Sequence, residues 1–257
     1  MPASRIAAII IALIVAAAIG AFFLWPAPPP PPPPPAAKAA PAEPTGPKYP
    51  VAQPAATLPT LADSDPTVLD ALKGAIDPAV IAKLVVPESI IRNFVATVDN
   101  LTRDQVAMRL SPVHGPGGML KTAGKDDSLA IAAANAARYT PYVDALDKTD
   151  PATIVAIYVR LYPLFQQAYV DLGFPNGYFN DRLIEVIDHL LAAPEPKAPV
   201  KLVAPHVLYE FADPDLESRS AGQKLLIRMG ADNEARVKAK LREYRKQLVN
   251  APRTNPP

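Results

Sequence analysis

Residues 150–191 read D-P-A-T-I-V-A-I-Y-V-R-L-Y-P-L-F-Q-Q-A-Y-V-D-L-G-F-P-N-G-Y-F-N-D-R-L-I-E-V-I-D-H-L-L, and the fold turns on how this run divides. At about 100° per residue, Ile154, Val155, Tyr158, Leu161, Tyr162, Phe165, Tyr169 and Leu172 share one face of a helix. Arg160, Pro163, Gln167 and Asp171 lie opposite. Asp150-Pro151 supplies an N-cap acceptor followed by proline at the first helical position. Pro163 falls inside the helix, where proline costs about 3 kcal/mol. It lies on the polar face, so the Val159 carbonyl that it frees can find water, and a bent but continuous helix is expected. Gly173 is a stop, and Phe174-Pro175-Asn176-Gly177 is a turn. A second helix then starts at Phe179 or Asn180, buries Leu183, Val186, Ile187, Leu190 and Leu191, and ends before Pro194.

The same punctuation recurs on either side. Asp65-Pro66, Asp77-Pro78 and Asp213-Pro214 repeat the cap-then-proline signal. Short helices are predicted over 66–75, 78–85 and 87–99, with a capping box at Thr102 and Gln105. A glycine-rich run at 114–118 lacks the Gly-Lys-Ser/Thr and the preceding strand that a phosphate loop needs. It reads as a turn into a small β-hairpin over 119–131. An alanine-rich helix to about Tyr139 and a short helix from Pro141 lead into the central pair. Beyond it, 201–203 and 206–211 read as short strands or an irregular crossing. Ser220 with Gln223 forms a further capping box, Gly230 ends that helix, and Asp232 caps the last one, whose stripe is Val237, Leu241, Tyr244 and Leu248. The fold class is mainly α: a compact multi-helix domain over 61–250 with a small β-hairpin, then a disordered tail over 251–257.

The N-terminal part differs in kind. Residues 6–25 carry no charge or strongly polar side chain and span about 30 Å as a helix, the thickness of a bilayer core. The run is too long for a signal-peptide core and lacks a small-x-small cleavage site, so it reads as an uncleaved transmembrane anchor. Arg5 in a short cytoplasmic N-terminus (1–5) places the body outside. Residues 26–60 are a proline-rich linker, with prolines unbroken from 28 to 35. That run is a polyproline II rod of about 25 Å, and the remainder is expected to be extended and disordered.

Composition narrows the chemistry. The 257 residues contain no cysteine, which excludes disulfides, thiolate metal ligands and a thiol nucleophile. The net charge of +1 argues against a nucleic-acid partner. From Arg219 onward ten Lys/Arg stand against three Asp/Glu. This basic end either neutralises the acidic body or offers a patch to an external anion.

Two candidate sites follow. Asp181, Glu185 and His189 recur every four residues, one above another on the second helix, with Asp188 beside them. Such spacing can pair an acid with a base or hold a divalent ion, with Glu185 and His189 as the candidate ligands. The helical wheel puts them opposite the apolar stripe, so a solvated, self-paired face is the default. The turn at 174–180 displays Phe174, Asn176, Tyr178, Phe179 and Asn180. Its rings either staple the two helices together or line a groove for an extended peptide or glycan. Asn100, His114 and His206 are isolated, no nucleophile elbow is present, and no cofactor is implied.

Four runs carry a resemblance: L-Y-P-L-F-Q-Q-A-Y (161–169), P-N-G-Y-F-N-D-R-L-I-E-V-I-D-H-L-L (175–191), V-L-Y-E-F-A-D-P-D-L-E (207–217) and S-A-G-Q-K-L-L-I-R-M-G (220–230). Over roughly 61–248 the chain resembles an uncharacterised bacterial family, domain of unknown function 3014. The resemblance implies a Gram-negative protein with one N-terminal span and an external domain, and supplies no activity or catalytic residues. The expected role is a membrane-tethered periplasmic module, single-pass in the inner membrane, binding another envelope component, protein or peptidoglycan. The alternative is an envelope hydrolase acting through Asp181, Glu185 and Asp188. Carboxylates lining a concave pocket would favour the alternative.

Overall fold

The structure is a computed structural model and describes residues 46–52, 57–105, 107–205 and 208–251. The expected anchor at 6–25, the proline run, His206 and nearly all of the tail lie outside the described residues. Among the described residues no helix is long and apolar enough to cross a membrane.

The body is mainly helical: α1 (Asp65–Lys73), α2 (Pro78–Leu84), α3 (Ile90–Asn100), α4 (Thr140–Asp147), α5 (Pro151–Asp171), α6 (Phe179–Leu191), α7 (Pro214–Glu217), α8 (Ala221–Met229) and α9 (Ala231–Val249). Strands β1 (Thr122–Ala123) and β2 (Ala130–Ile131) form one antiparallel hairpin, β3 (Leu202–Val203) and β4 (Glu210–Phe211) a second. The hairpins are bridged, because Ile131 N–H donates to Val200 O and Leu202 N–H to Leu129 O, each at 2.9 Å.

The central pair forms as its pattern dictates. Helix α5 runs unbroken through Pro163, with Asp150 Oδ2 accepting from Thr153 N at 2.9 Å. It buries more than the expected stripe: Leu164 and Ala168 are inside as well, while Leu172 is exposed. The helix packs against both α3 and α9. Helix α6 packs against α3, α5 and α9, and the four helices enclose one core around Ile91, Val95, Leu161, Phe179, Ile184 and Val186. On α6 it is Ile184 that is fully buried, and Leu183 and Leu191 are only partly so. A smaller core of Leu202, Phe211, Leu216 and Ile227 sits under the hairpins.

Several local expectations are corrected. Asp65 does not cap its own helix. Its two oxygens accept from Ser89 N (2.7 Å) and Ile90 N (2.8 Å), at the start of α3. Ser89 has φ +52, so α3 begins at Ile90 and not at Pro87. Thr102 starts no helix, since its hydroxyl accepts from Arg182 Nη2 at 2.7 Å. The alanine-rich run is a 3₁₀ helix over Ala133–Arg138. Gly230, at φ +84, precedes α9 in place of Asp232. Gly222 is required for packing: a Cβ there would lie 2.7 Å from Leu101 O and 2.7 Å from Leu190 Cδ2, and its N–H donates to that carbonyl.

The largest correction concerns the linker. Disorder was expected through residue 60, yet Gly46 already belongs to the compact body, and Val51 is buried in the main core. Asp181 and Asn180 of α6 hold this strap, residues 46–52, through the backbone of Lys48 and Tyr49.

Candidate functional site

The turn between α5 and α6 is built from α5 outward. Gln166 lies at the edge of the aromatic stripe, and its amide reads the turn backbone. Nε2 donates to Gly177 O at 2.7 Å, and Oε1 accepts from Phe179 N at 2.9 Å and from Tyr162 Oη at 3.0 Å. Gly177 leaves room for Tyr169, whose Cε1 would be 2.8 Å from a Cβ at that position. The Phe174 ring stacks on Tyr169 with centroids 4.6 Å apart. Phe179 is 0% exposed and packs among Phe94, Tyr158, Phe165 and Tyr169.

The five turn residues therefore separate. Phe174 and Phe179 act as the staple. Asn180 is also 0% exposed, accepts from Tyr158 Oη at 3.3 Å, and donates from Nδ2 to Tyr49 O at 2.9 Å. Phe179 and Asn180 are closed to an outside partner because the core consumes both side chains. Asn176 and Tyr178 remain exposed.

The polar face of α6 is not simply solvated. Asp181 accepts two successive backbone N–H groups, Lys48 through Oδ2 and Tyr49 through Oδ1, each at 2.8 Å. A carboxylate taking two N–H groups makes charge-assisted bonds, stronger than neutral ones. Arg182 reaches across to α3: Nε donates to Asp99 Oδ1 at 2.9 Å, while Nη1 pairs with Glu185 at 3.0 Å. Burial works against the Arg182 charge, but Glu185 and Asp99 outweigh it and raise the pKa. Asp188 pairs with Arg245 of α9. His189 Nε2 lies 2.8 Å from Ser220 Oγ, and burial lowers its pKa below the ordinary value.

Together the strap and α6 line an open cleft of about 480 Å³. Tyr49, Tyr169 and Tyr178 supply aromatic wall, and Asp181, Arg182, Glu185 and Asp188 supply charge. The carboxylates do line a concave surface, the geometry named as favouring catalysis. Asp181 and Asp188, however, are each tied to a distant part of the chain, which leaves Glu185, exposed and beside Arg182. Burial pushes the nearby Tyr162 up to about 12, so this phenol stays protonated at neutral pH and is no general base there.

Of the two candidate metal ligands, Glu185 pairs with Arg182 and His189 contacts Ser220. Among the described residues no group of three or more His, Asp or Glu could hold an ion. The Ser220–His189 contact has the look of a nucleophile and its base. But Ser220 is buried and its Oγ accepts from Gln223 N at 3.3 Å, as the N-cap of α8. His114 sits in an exposed loop and Asn100 at the end of α3, both away from the cleft lining.

Sequence reasoning missed the strap. Lys48 and Tyr49 stand in a proline-rich context, and nothing local marks them as bound to a helix 130 residues on. Gln166 was within reach, because of the adjacent pair Gln166-Gln167 it is the one beside the aromatic stripe, and an amide there asks for a partner.

A family model described as "Protein of unknown function (DUF3014)" matches residues 90–245, more than half of the chain. No curated protein and no solved structure matches it.

Proposed function

The chain belongs to the DUF3014 family of proteins of unknown function, and from that premise we propose that it is a membrane-tethered periplasmic interaction module. It binds another cell-envelope component, protein or peptidoglycan, at the cleft between the strap and α6. The observation that carries this reading is the state of the cleft charges. Asp181, Arg182 and Asp188 are engaged in holding the strap, α3 and α9. Exposed Tyr178 and Asn176, with Glu185, are left facing outward. Aromatic and charged groups on a preformed concave surface, with the exposed Asn176 amide on the adjoining turn, suit recognition of an extended chain. The apolar run at 6–25 and the prolines after it supply anchor and spacer, and Lys48 and Tyr49 of the strap line the cleft.

A photo-reactive residue placed at Tyr178, irradiated in cells, should give one or a few discrete adducts. A control at exposed Arg109, away from the cleft lining, should give none of them. The absence of any adduct specific to Tyr178 would overturn the reading.

A carboxylate-dependent envelope hydrolase is the second reading, favoured by the fact that Asp181, Glu185 and Asp188 line one cleft. It requires that purified protein release fragments from envelope polymer and that alanine at all three positions abolish release. Release that survives the triple substitution excludes it.

A further inference from the structure

A second cleft, of about 380 Å³, lies away from α6, between the loop before β1, the end of the 3₁₀ helix and α8. Its walls are Met119, Arg138, Tyr139, Leu208, Tyr209 and Arg228. We propose that it binds an acidic–apolar peptide segment, with one carboxylate seated between Arg138 and Arg228 and a neighbouring apolar side chain laid across Met119 and Leu208.

The two guanidinium groups are held but not neutralised. Among the described residues Arg138 donates only to neutral acceptors: Gly118 O (2.7 Å), Pro116 O (3.1 Å), Gly117 O (3.3 Å) and Asn135 Oδ1 (3.0 Å). Arg228 makes no side-chain hydrogen bond and meets no carboxylate within 4.0 Å among the described residues, and its buried Nε is without a partner. Its guanidinium rides over the Phe211 ring at 5.3 Å. Glu217 feels the Arg228 charge, but its oxygens already serve Lys224 Nζ and Phe211 N, each at 2.8 Å. A buried donor without a partner is unusual in a folded protein and asks for an acceptor.

The arrangement is preorganised by a buried amide. Asn135 is 0% exposed. Its Oδ1 accepts from Lys121 N (3.0 Å) and Arg138 Nη1, and its Nδ2 donates to Arg228 O at 2.8 Å. One side chain thus fixes the positions of both arginines and the loop that leads to β1. Guanidinium forks match carboxylates closely. Beside them Met119 is 81% and Leu208 76% exposed, the two most exposed large apolar side chains among the described residues. A flexible methionine suits an adaptable peptide contact. A membrane surface fits less well, since anionic bilayers are recognised by clusters of about 4–8 basic residues, and two recessed arginines do not make such a cluster.

The test uses the full chain in neutral detergent and the labelled peptide acetyl-Leu-Glu-Leu-Glu-Leu, with a Gln-for-Glu counterpart, followed by fluorescence anisotropy. The Glu peptide should bind about tenfold tighter than the Gln peptide. Arg228→Gln should weaken the Glu peptide at least about fivefold and leave the Gln peptide's affinity unchanged, so a charge-specific loss is separated from a general one. Leu208→Ser, at an exposed position, should weaken both peptides and so tests the apolar half separately. Equal binding of the two peptides, a smaller loss in Arg228→Gln, no effect of Leu208→Ser, or binding only to vesicles of phosphatidylglycerol would each overturn the proposal.

Discussion

Helices α6 and α9 lie against each other and are both amphipathic, yet they place their charges differently. On α6 three charged groups at the rim each reach another element, Asp181 the strap, Arg182 α3 and Asp188 α9, while Glu185 pairs with Arg182 of the same helix. Helix α9 has a rim of this kind too, with Arg236 holding Asp144 and Asp147 of α4. It also carries charge inward. Lys238 is 2% exposed and meets Glu234 (2.9 Å), Glu195 (2.7 Å) and the Ala193 carbonyl (2.7 Å) beyond the end of α6. A solvent-exposed rim pair such as Asp188–Arg245 exchanges water for a partner and changes stability little. An interior pair has no water to fall back on, so losing one member strands the other. The rim of α6 sets positions, while the interior of α9 holds the body together.

The largest effect is therefore expected at Lys238. Lys238→Met leaves Glu234 buried, where desolvation already raises its pKa, and should cost about 3–5 kcal/mol in urea unfolding. Adding Glu234→Leu should recover most of that loss. A cost below about 1 kcal/mol would mean that the Lys238 pair behaves like the exposed Asp188–Arg245 pair and would dissolve the contrast.

Asp181→Asn should have an intermediate effect, about 1.5–3 kcal/mol, because it removes a charged acceptor of two N–H groups. The sharper readout is hydrogen exchange. The Lys48 and Tyr49 amides should lose protection while amides inside α5 keep theirs. Unchanged protection would show that Val51 and Asn180 hold the strap without the carboxylate.

The smallest effect belongs to His189, whose folded pKa is depressed mainly by burial. As pH falls the unfolded chain takes up the proton first. The stability contributed by the neutral ring is complete above the unfolded value near 6.5 and is lost as pH drops through the folded value. His189→Gln should flatten that decline in melting temperature between about pH 7.5 and pH 5. A decline of unchanged slope would assign it to other groups.

Local signals were legible wherever they acted locally. The cap-and-proline pairs at Asp77, Asp150 and Asp213 bond to their own helices, and the 150–191 run divides where its glycine and proline say it should. The basic C-terminal end does meet acidic side chains of the body, at Asp144, Asp147, Asp188 and Glu195. What stayed hidden was action at a distance. Asp65 has the same sequence context as Asp77 but caps a helix 24 residues away. Asp181, Glu185 and His189 were read as one column, whereas Asp181 and His189 meet distant parts of the chain and Glu185 pairs with Arg182 on its own helix. The Arg138–Arg228 cleft left no trace in spacing, because the residue that assembles it, Asn135, lies in an alanine-rich run with no periodic signal of its own.

The strap also bears on how the chain comes off the ribosome. Tyr49 is synthesised 132 residues before the carboxylate that receives its N–H. At about 5–20 residues per second the segment waits on the order of ten seconds for its docking site. Closing so long a loop is entropically costly but only logarithmically so, and the cost is met once α6 has formed. The first part of the body to be made is thus among the last to settle, and its docking marks the moment when the α5–α6 hairpin is complete.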